Sequence, residues 1–159
     1  MKVPFLFVLF LCLLAAASPL PAQQVLRGRA VKILDGDTFD LLTAAGTFRI
    51  RLNGIDCPEK GQPYSRKATD ALGRLCQGQE LTVRFRSKDR NGRVLGDVFT
   101  PADNWLNLRL VEEGWAWHFK RYSSNRQLAA AETAARRRRA GLWQDRNPIA
   151  PWDWRRGKR

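Results

Sequence analysis

Residues 33–59 hold the side chains best suited to chemistry. The stretch opens on Asp35-Gly36-Asp37-Thr38 and closes on Asp56-Cys57-Pro58-Glu59. Carboxylates gathered at loop ends suit a hard divalent cation. Calcium takes about six to eight oxygen ligands and mixes carboxylates with carbonyls and waters. Between the two turns lie Arg49 and Arg51. A guanidinium is a planar fork of donors that matches a phosphate and stays charged. An acidic pocket beside an arginine therefore points to a phosphodiester, whose developing charge a cation and an arginine would both neutralise. Taken singly, each residue reads equally well as a turn former or a solvated charge. Their order within one short stretch favours the site.

Strands must position these turns. Phe48, Ile50 and Leu52 alternate with Thr47, Arg49 and Arg51, the period of a half-buried strand. Residues 25–34 read as a first strand, with Val31 and Ile33 on one face. Residues 39–43 read as a second, and Ala44-Ala45-Gly46 turns into the third. Tyr64, Ala68, Ala71, Leu72 and Leu75 recur at helical spacing over residues 64–76, and Gln77-Gly78 ends that helix. The loop Gly61-Gln62-Pro63 before it is expected to hang beside the site and move. Leu81, Val83 and Phe85 mark a fourth strand. Asn91-Gly92 marks a hairpin, and residues 93–99 a fifth strand with Arg93 at its start. A second helix is expected from Pro101, with Asp103 as its N-cap and Gly114 as its stop. A third runs from Ser123-Ser124-Asn125 to about residue 139, burying Leu128, Ala131 and Ala135. Five short strands and three helices, one of them between strands three and four, is an α+β order that fits a small OB-type barrel.

The ends read differently. Lys2, the apolar run 5–17 and the small or helix-breaking residues 18–22 make residues 1–22 a signal peptide. The expected cut follows Ala22, with Ala17 as the alternative site and an uncleaved anchor as the competing reading. Cys12 lies in the apolar run and leaves with it. The processed chain would be secreted or periplasmic. Residues 23–145 form one domain. Residues 146–159, rich in Pro, Trp and Arg, read as an extended basic tail. It is either a solvated end or a grip on phosphates with tryptophan for base stacking. The net charge of +13 argues for a polyanionic partner. Nucleic acid, an anionic membrane and an anionic polysaccharide all satisfy it, but no long basic amphipathic helix supports the membrane. Cys57 and Cys76 are either a bridged pair, as an oxidising compartment would allow, or two thiols. With His118 they are too few for a zinc site.

Several separated motifs, in order, resemble the staphylococcal nuclease (thermonuclease) family of exported, calcium-dependent phosphodiesterases. They are Asp35-Gly36-Asp37-Thr38, Arg51, Asp56-Cys57-Pro58-Glu59, Asp89-Arg90-Asn91-Gly92-Arg93-Val94-Leu95-Gly96 and Gly114-Trp115-Ala116-Trp117. The resemblance implies an OB-fold barrel and one calcium ion. Its ligands would be the carboxylates of Asp37 and Asp56 and the carbonyl of Cys57, with Asp35 acting through water. It implies that Arg51 holds the phosphate, Glu59 serves the attacking water as general base, and Arg93 stabilises charge on the pentavalent state. Where the family often has tyrosine in the hairpin turn, this chain has Asn91; Trp115, Trp117 or Tyr122 could supply the stacking, although core packing is the plainer reading for the two tryptophans. The implied products carry 3′-phosphates. DNA and RNA would both be cut, single strands preferentially, by a monomer with no lasting membrane attachment. The rival is a barrel that binds nucleic acid and leaves it intact. Retention of Asp37, Arg51, Asp56, Glu59 and Arg93 together favours the enzyme.

Overall fold

The computed structural model describes residues 22–158. The expected signal segment, apart from its last residue, lies outside the described residues. Strands β1 (Gln24–Ile33), β2 (Thr38–Thr43), β3 (Gly46–Leu52), β5 (Leu81–Lys88) and β6 (Val94–Phe99) form the barrel. Its closed order is β1-β2-β3-β6-β5. Four of its pairings are antiparallel, and β3 with β6 is parallel. The period-two residues fill the interior: Phe39, Leu41, Ile50, Leu52, Leu81, Val83, Val94 and Val98 are buried. This is the α+β OB-type barrel that the strand order fits and the family resemblance implies.

β1 departs from simple alternation. Its register with β2 shifts between Ala30 and Lys32, and such a bulge re-aims the side chains around it. Val31 is exposed and Ile33 only half-buried, so they do not share an inward face.

Helix α1 (Ser65–Cys76) buries Ala68, Ala71, Leu72 and Cys76. Helix α2 (Leu106–Glu112) starts later than expected, after Trp105. Asp103 does not cap it. Asp103 sits in the left-handed region at φ 57°, in a turn where its N–H donates to the Thr100 carbonyl. Helix α3 (Arg126–Arg137) does begin at Asn125, whose side chain accepts from the N–H groups of Gln127 and Leu128. It stops short of residue 139, where Arg139 turns left-handed at φ 52°.

A two-stranded ladder and a C-terminal helix fall outside the five-strand pattern. Strand β4 (Ile55–Asp56) pairs with strand β7 (Trp117–His118), a ladder that carries Asp56. The expected extended tail instead contains helix α4 (Pro151–Trp154). α4 packs onto a second cluster of Trp117, Ala135, Leu142, Trp143 and Ala150. Trp152 stacks flat on Phe119 at 5.3 Å and meets Trp117 edge-on at 5.5 Å. Aromatic contacts, rather than charge, decide how this segment folds.

Candidate active site

Backbone geometry brings the two acidic turns together. The Asp37 carbonyl accepts the Leu52 N–H at 2.8 Å, and Asp37 Oδ2 accepts the Cys57 N–H at 2.8 Å. Gly36 allows the close approach. A Cβ there would lie 2.8 Å from both the Cys57 and Ala68 side chains, closer than packed atoms tolerate. Asn107 of α2 fastens the far side. Fully buried, it donates to the carbonyls of Asn53 and Gly96 and accepts the Val98 N–H.

Arg51 lies at the centre. Its Nη2 is 2.9 Å from Asp56 Oδ1 and its Nη1 is 3.0 Å from Asp37 Oδ2. Nη1 also donates to the carbonyls of Leu52 and Ile55. Burial opposes the charge on Arg51, but Asp37 and Asp56 outweigh it and raise its pKa. Burial likewise pushes the Asp37 carboxyl up to about 7. Arg51 pulls it back, while Asp35 and Asp56 add to the rise. Asp37 is thus a buried acid whose charge the protein only partly compensates.

The donor set suits a hard cation: carboxylate and carbonyl oxygens, with excess negative charge at Asp37. The Cys57 thiol is not part of it, because burial pushes its pKa well up and keeps it neutral. Among the described residues, no three acidic, Cys or His side chains are gathered ready to hold a metal. Asp56 is paired with two arginines. Its Oδ1 takes Arg51, and its Oδ2 takes the Arg155 guanidinium at 2.8 Å. The same guanidinium donates through Nη1 to Glu59 Oε1. Residue by residue, the fold joins Asp37, Arg51, Asp56 and Cys57 directly, with Asp35 held by the Asp37 N–H at 3.0 Å. Glu59 joins through Arg155.

Arg93 stands apart. Its Nε lies 2.7 Å from Asp89 Oδ2. An open groove of about 440 Å³ runs between it and Asp35, lined also by Thr38, Asn91 and Gly92. That volume is of ligand-site size. Asn91 therefore stands at the groove even without an aromatic ring.

One expectation changes at the loop before α1. Gly61-Gln62-Pro63 is pinned: buried Gln62 accepts the Glu59 N–H at 2.9 Å and donates to the Ile149 carbonyl at 2.6 Å. Cys57 and Cys76 are both free and buried. Arg49 is paired with Asp40 at 2.8 Å, and Arg84 lies over the Phe99 ring at 4.3 Å. Arg136 lies over Trp143 at 3.8 Å. Trp117 is core, as the plainer reading has it, and His118 is a buried residue whose Nε2 meets Ser123 Oγ at 3.1 Å. Sequence reasoning missed Arg155. The only signal was an arginine directly after Trp152-Asp153-Trp154 in a segment read as tail.

Residues 49–145 match the family described as staphylococcal nuclease homologue. A protein of Escherichia coli described as an uncharacterized endonuclease is 40% identical over 133 residues, 84% of this chain and 87% of its own length. A micrococcal nuclease of Shigella flexneri is 40% identical over 149 residues, 87% of this chain and 86% of its own. A protein of Haemophilus influenzae, also described as an uncharacterized endonuclease, is 39% identical over 129 residues, 80% of this chain and 72% of its own.

Proposed function

Since the chain belongs to the staphylococcal nuclease family and is a hydrolytic nuclease, we propose that it is an exported, calcium-dependent enzyme that cuts DNA and RNA with little sequence preference. The observation that carries the reading is the convergence of Asp37, Asp56 and Arg51 in one buried pocket. Asp37, Asp56 and the Cys57 carbonyl would hold the cation, and Asp35 would support it through water. Bound there, a cation would neutralise charge on the phosphate and lower the barrier to attack.

The remaining work falls to side chains. Arg51 has its Nε–H and one Nη2 hydrogen outside the bonds described above, and these would donate to the phosphate oxygens. Glu59, about one-third exposed, would take the proton from a water attacking phosphorus. The bond from phosphorus to the 5′-oxygen would break, leaving a 3′-phosphate and a 5′-hydroxyl. Arg93, aimed by Asp89, would meet the charge that develops on the phosphate and the departing oxygen. Contacts of this kind read phosphates and not bases. Single strands would be favoured because their bases can leave the stack. The signal-peptide pattern read in the sequence of residues 1–22 supports export, and one barrel with its own core supports a monomer.

The test is incubation of end-labelled single-stranded DNA, duplex DNA and RNA with calcium or with excess chelator. Product ends are then typed by their mobility before and after phosphatase. Cleavage in calcium alone, fastest on single strands, with ends that phosphatase shifts, is expected. Equal cleavage in chelator would overturn the cation's role, and unshifted ends would overturn the direction of attack.

A further inference from the structure

The C-terminal segment delivers a guanidinium into the pocket. Arg155 follows α4 directly and lies 2.8 Å from Asp56 Oδ2, while also donating to Glu59. Its own anchors are elsewhere. Ala150 and Pro151 are buried, Trp152 stacks on Phe119, and the Ile149 carbonyl accepts from Gln62. Arg155 is therefore held at the site by packing that does not depend on its ion pairs. Asp56 is almost wholly buried, yet both its oxygens are committed to guanidiniums. A cation that takes Asp56 as a ligand meets the Arg155 guanidinium on Oδ2, and Arg155 is the arginine free to give way, because Arg51 is enclosed while the Arg155 side chain is about two-fifths exposed.

Displacement does not remove Arg155 from the site. α4 stays anchored, so the guanidinium can move no further than its own side chain reaches. The cation, Arg51 and Arg155 then share one pocket, and the charge balance turns toward an anion. Glu59 remains beside Arg155, so the fork stays next to the water that Glu59 would serve.

Resting on the functional reading above, we propose that Arg155 is a third phosphate-contacting guanidinium of the active site: it occupies the cation's place on Asp56 in the unliganded enzyme and passes to the phosphodiester as the cation binds. The two roles have opposite signs. As a counter-ion Arg155 competes with calcium. As a phosphate donor it strengthens nucleic-acid binding.

The experiment compares wild type, Arg155→Ala and Arg156→Ala. Arg156→Ala removes the same charge from a neighbour that pairs with Asp153. Calcium affinity is measured by calorimetry without nucleic acid. Affinity for a hydrolysis-resistant phosphorothioate single strand is measured by anisotropy in saturating calcium. Arg155→Ala should bind calcium about fivefold more tightly and the oligonucleotide about tenfold more weakly, with Arg156→Ala close to wild type. Tighter calcium with unchanged oligonucleotide affinity would overturn the phosphate role. Losses in both, or no change in either, would overturn the inference as a whole. If the alanine variant loses α4, Arg155→Gln makes the same comparison, since it removes the charge and the fork while keeping most of the side chain. A wild type that binds no calcium overturns the functional reading itself, and this inference with it.

Discussion

The Cys57 N–H donates to Asp37 Oδ2 at 2.8 Å, across twenty positions of sequence. This one bond fixes the first acidic turn against the second. The bond favours the ionised carboxylate, but burial outweighs it and pushes the Asp37 pKa up to about 7. A raised acid pKa means that the folded protein keeps a proton that the unfolded chain has lost. The stability contribution is full below the unfolded value near 3.8 and is lost as pH rises toward 7.

Calcium needs the ionised form, so its binding must expel that proton below pH 7. Calcium affinity is expected to fall about tenfold per pH unit well below 7 and to flatten above 8. Calorimetry in buffers of different ionisation enthalpy should show close to one proton released at pH 6. Affinity that stays flat from pH 5.5 to 8 would contradict this account of Asp37.

Glu59→Gln should keep the fold and the cation. Glu59 belongs to no strand or helix, and its backbone N–H is held by Gln62 whatever its side chain. The expected loss is about 10²- to 10⁴-fold in kcat, with calcium affinity within about twofold of wild type. A drop in kcat below tenfold would remove Glu59 from proton transfer.

Arg93→Ala should lower kcat by about 10²- to 10³-fold with a small change in KM, the signature of a group that acts on transition-state charge. Asp89→Asn should fall between this variant and wild type, because Asp89 aims Arg93 through its 2.7 Å contact. If Arg93→Ala instead raised KM alone, Arg93 would be a docking residue.

The barrel and the acidic pocket were legible because local signals coincide there. Asp35-Gly36-Asp37 is both a turn and a pair of carboxylates, and β3 alternates cleanly through Phe48, Ile50 and Leu52. Arg155 was not legible. It meets Glu59 across 96 positions, and the burial of Ala150 and Pro151, the Gln62–Ile149 bond and the packing of Trp152 on Phe119 place it there. Pro, Trp and Arg in a terminal segment look alike whether the tryptophans find partners or not. The start of α2 was misread for a similar reason. Asp103 has the right chemistry for a cap, but the turn from Thr100 claims its backbone first.

The C-terminal segment is accordingly part of the fold. Trp152→Ala should cost about 1–3 kcal/mol of stability, and truncation after Asn147 should cost at least as much by uncovering Trp117 and Trp143. Chemical denaturation reads both. A truncated chain as stable as the full one would show that α4 lies idle on the surface.

The rate of cleavage of a single-stranded DNA oligonucleotide across a calcium titration, for wild type and Asp56→Asn, bears most directly on the pocket of Asp37, Asp56 and Arg51 as a cation-dependent nuclease site. Wild-type activity should rise to saturation with calcium and vanish in excess chelator, while Asp56→Asn stays at least 10²-fold lower at every concentration. Equal rates for the two proteins, or wild-type cleavage indifferent to calcium, would contradict it.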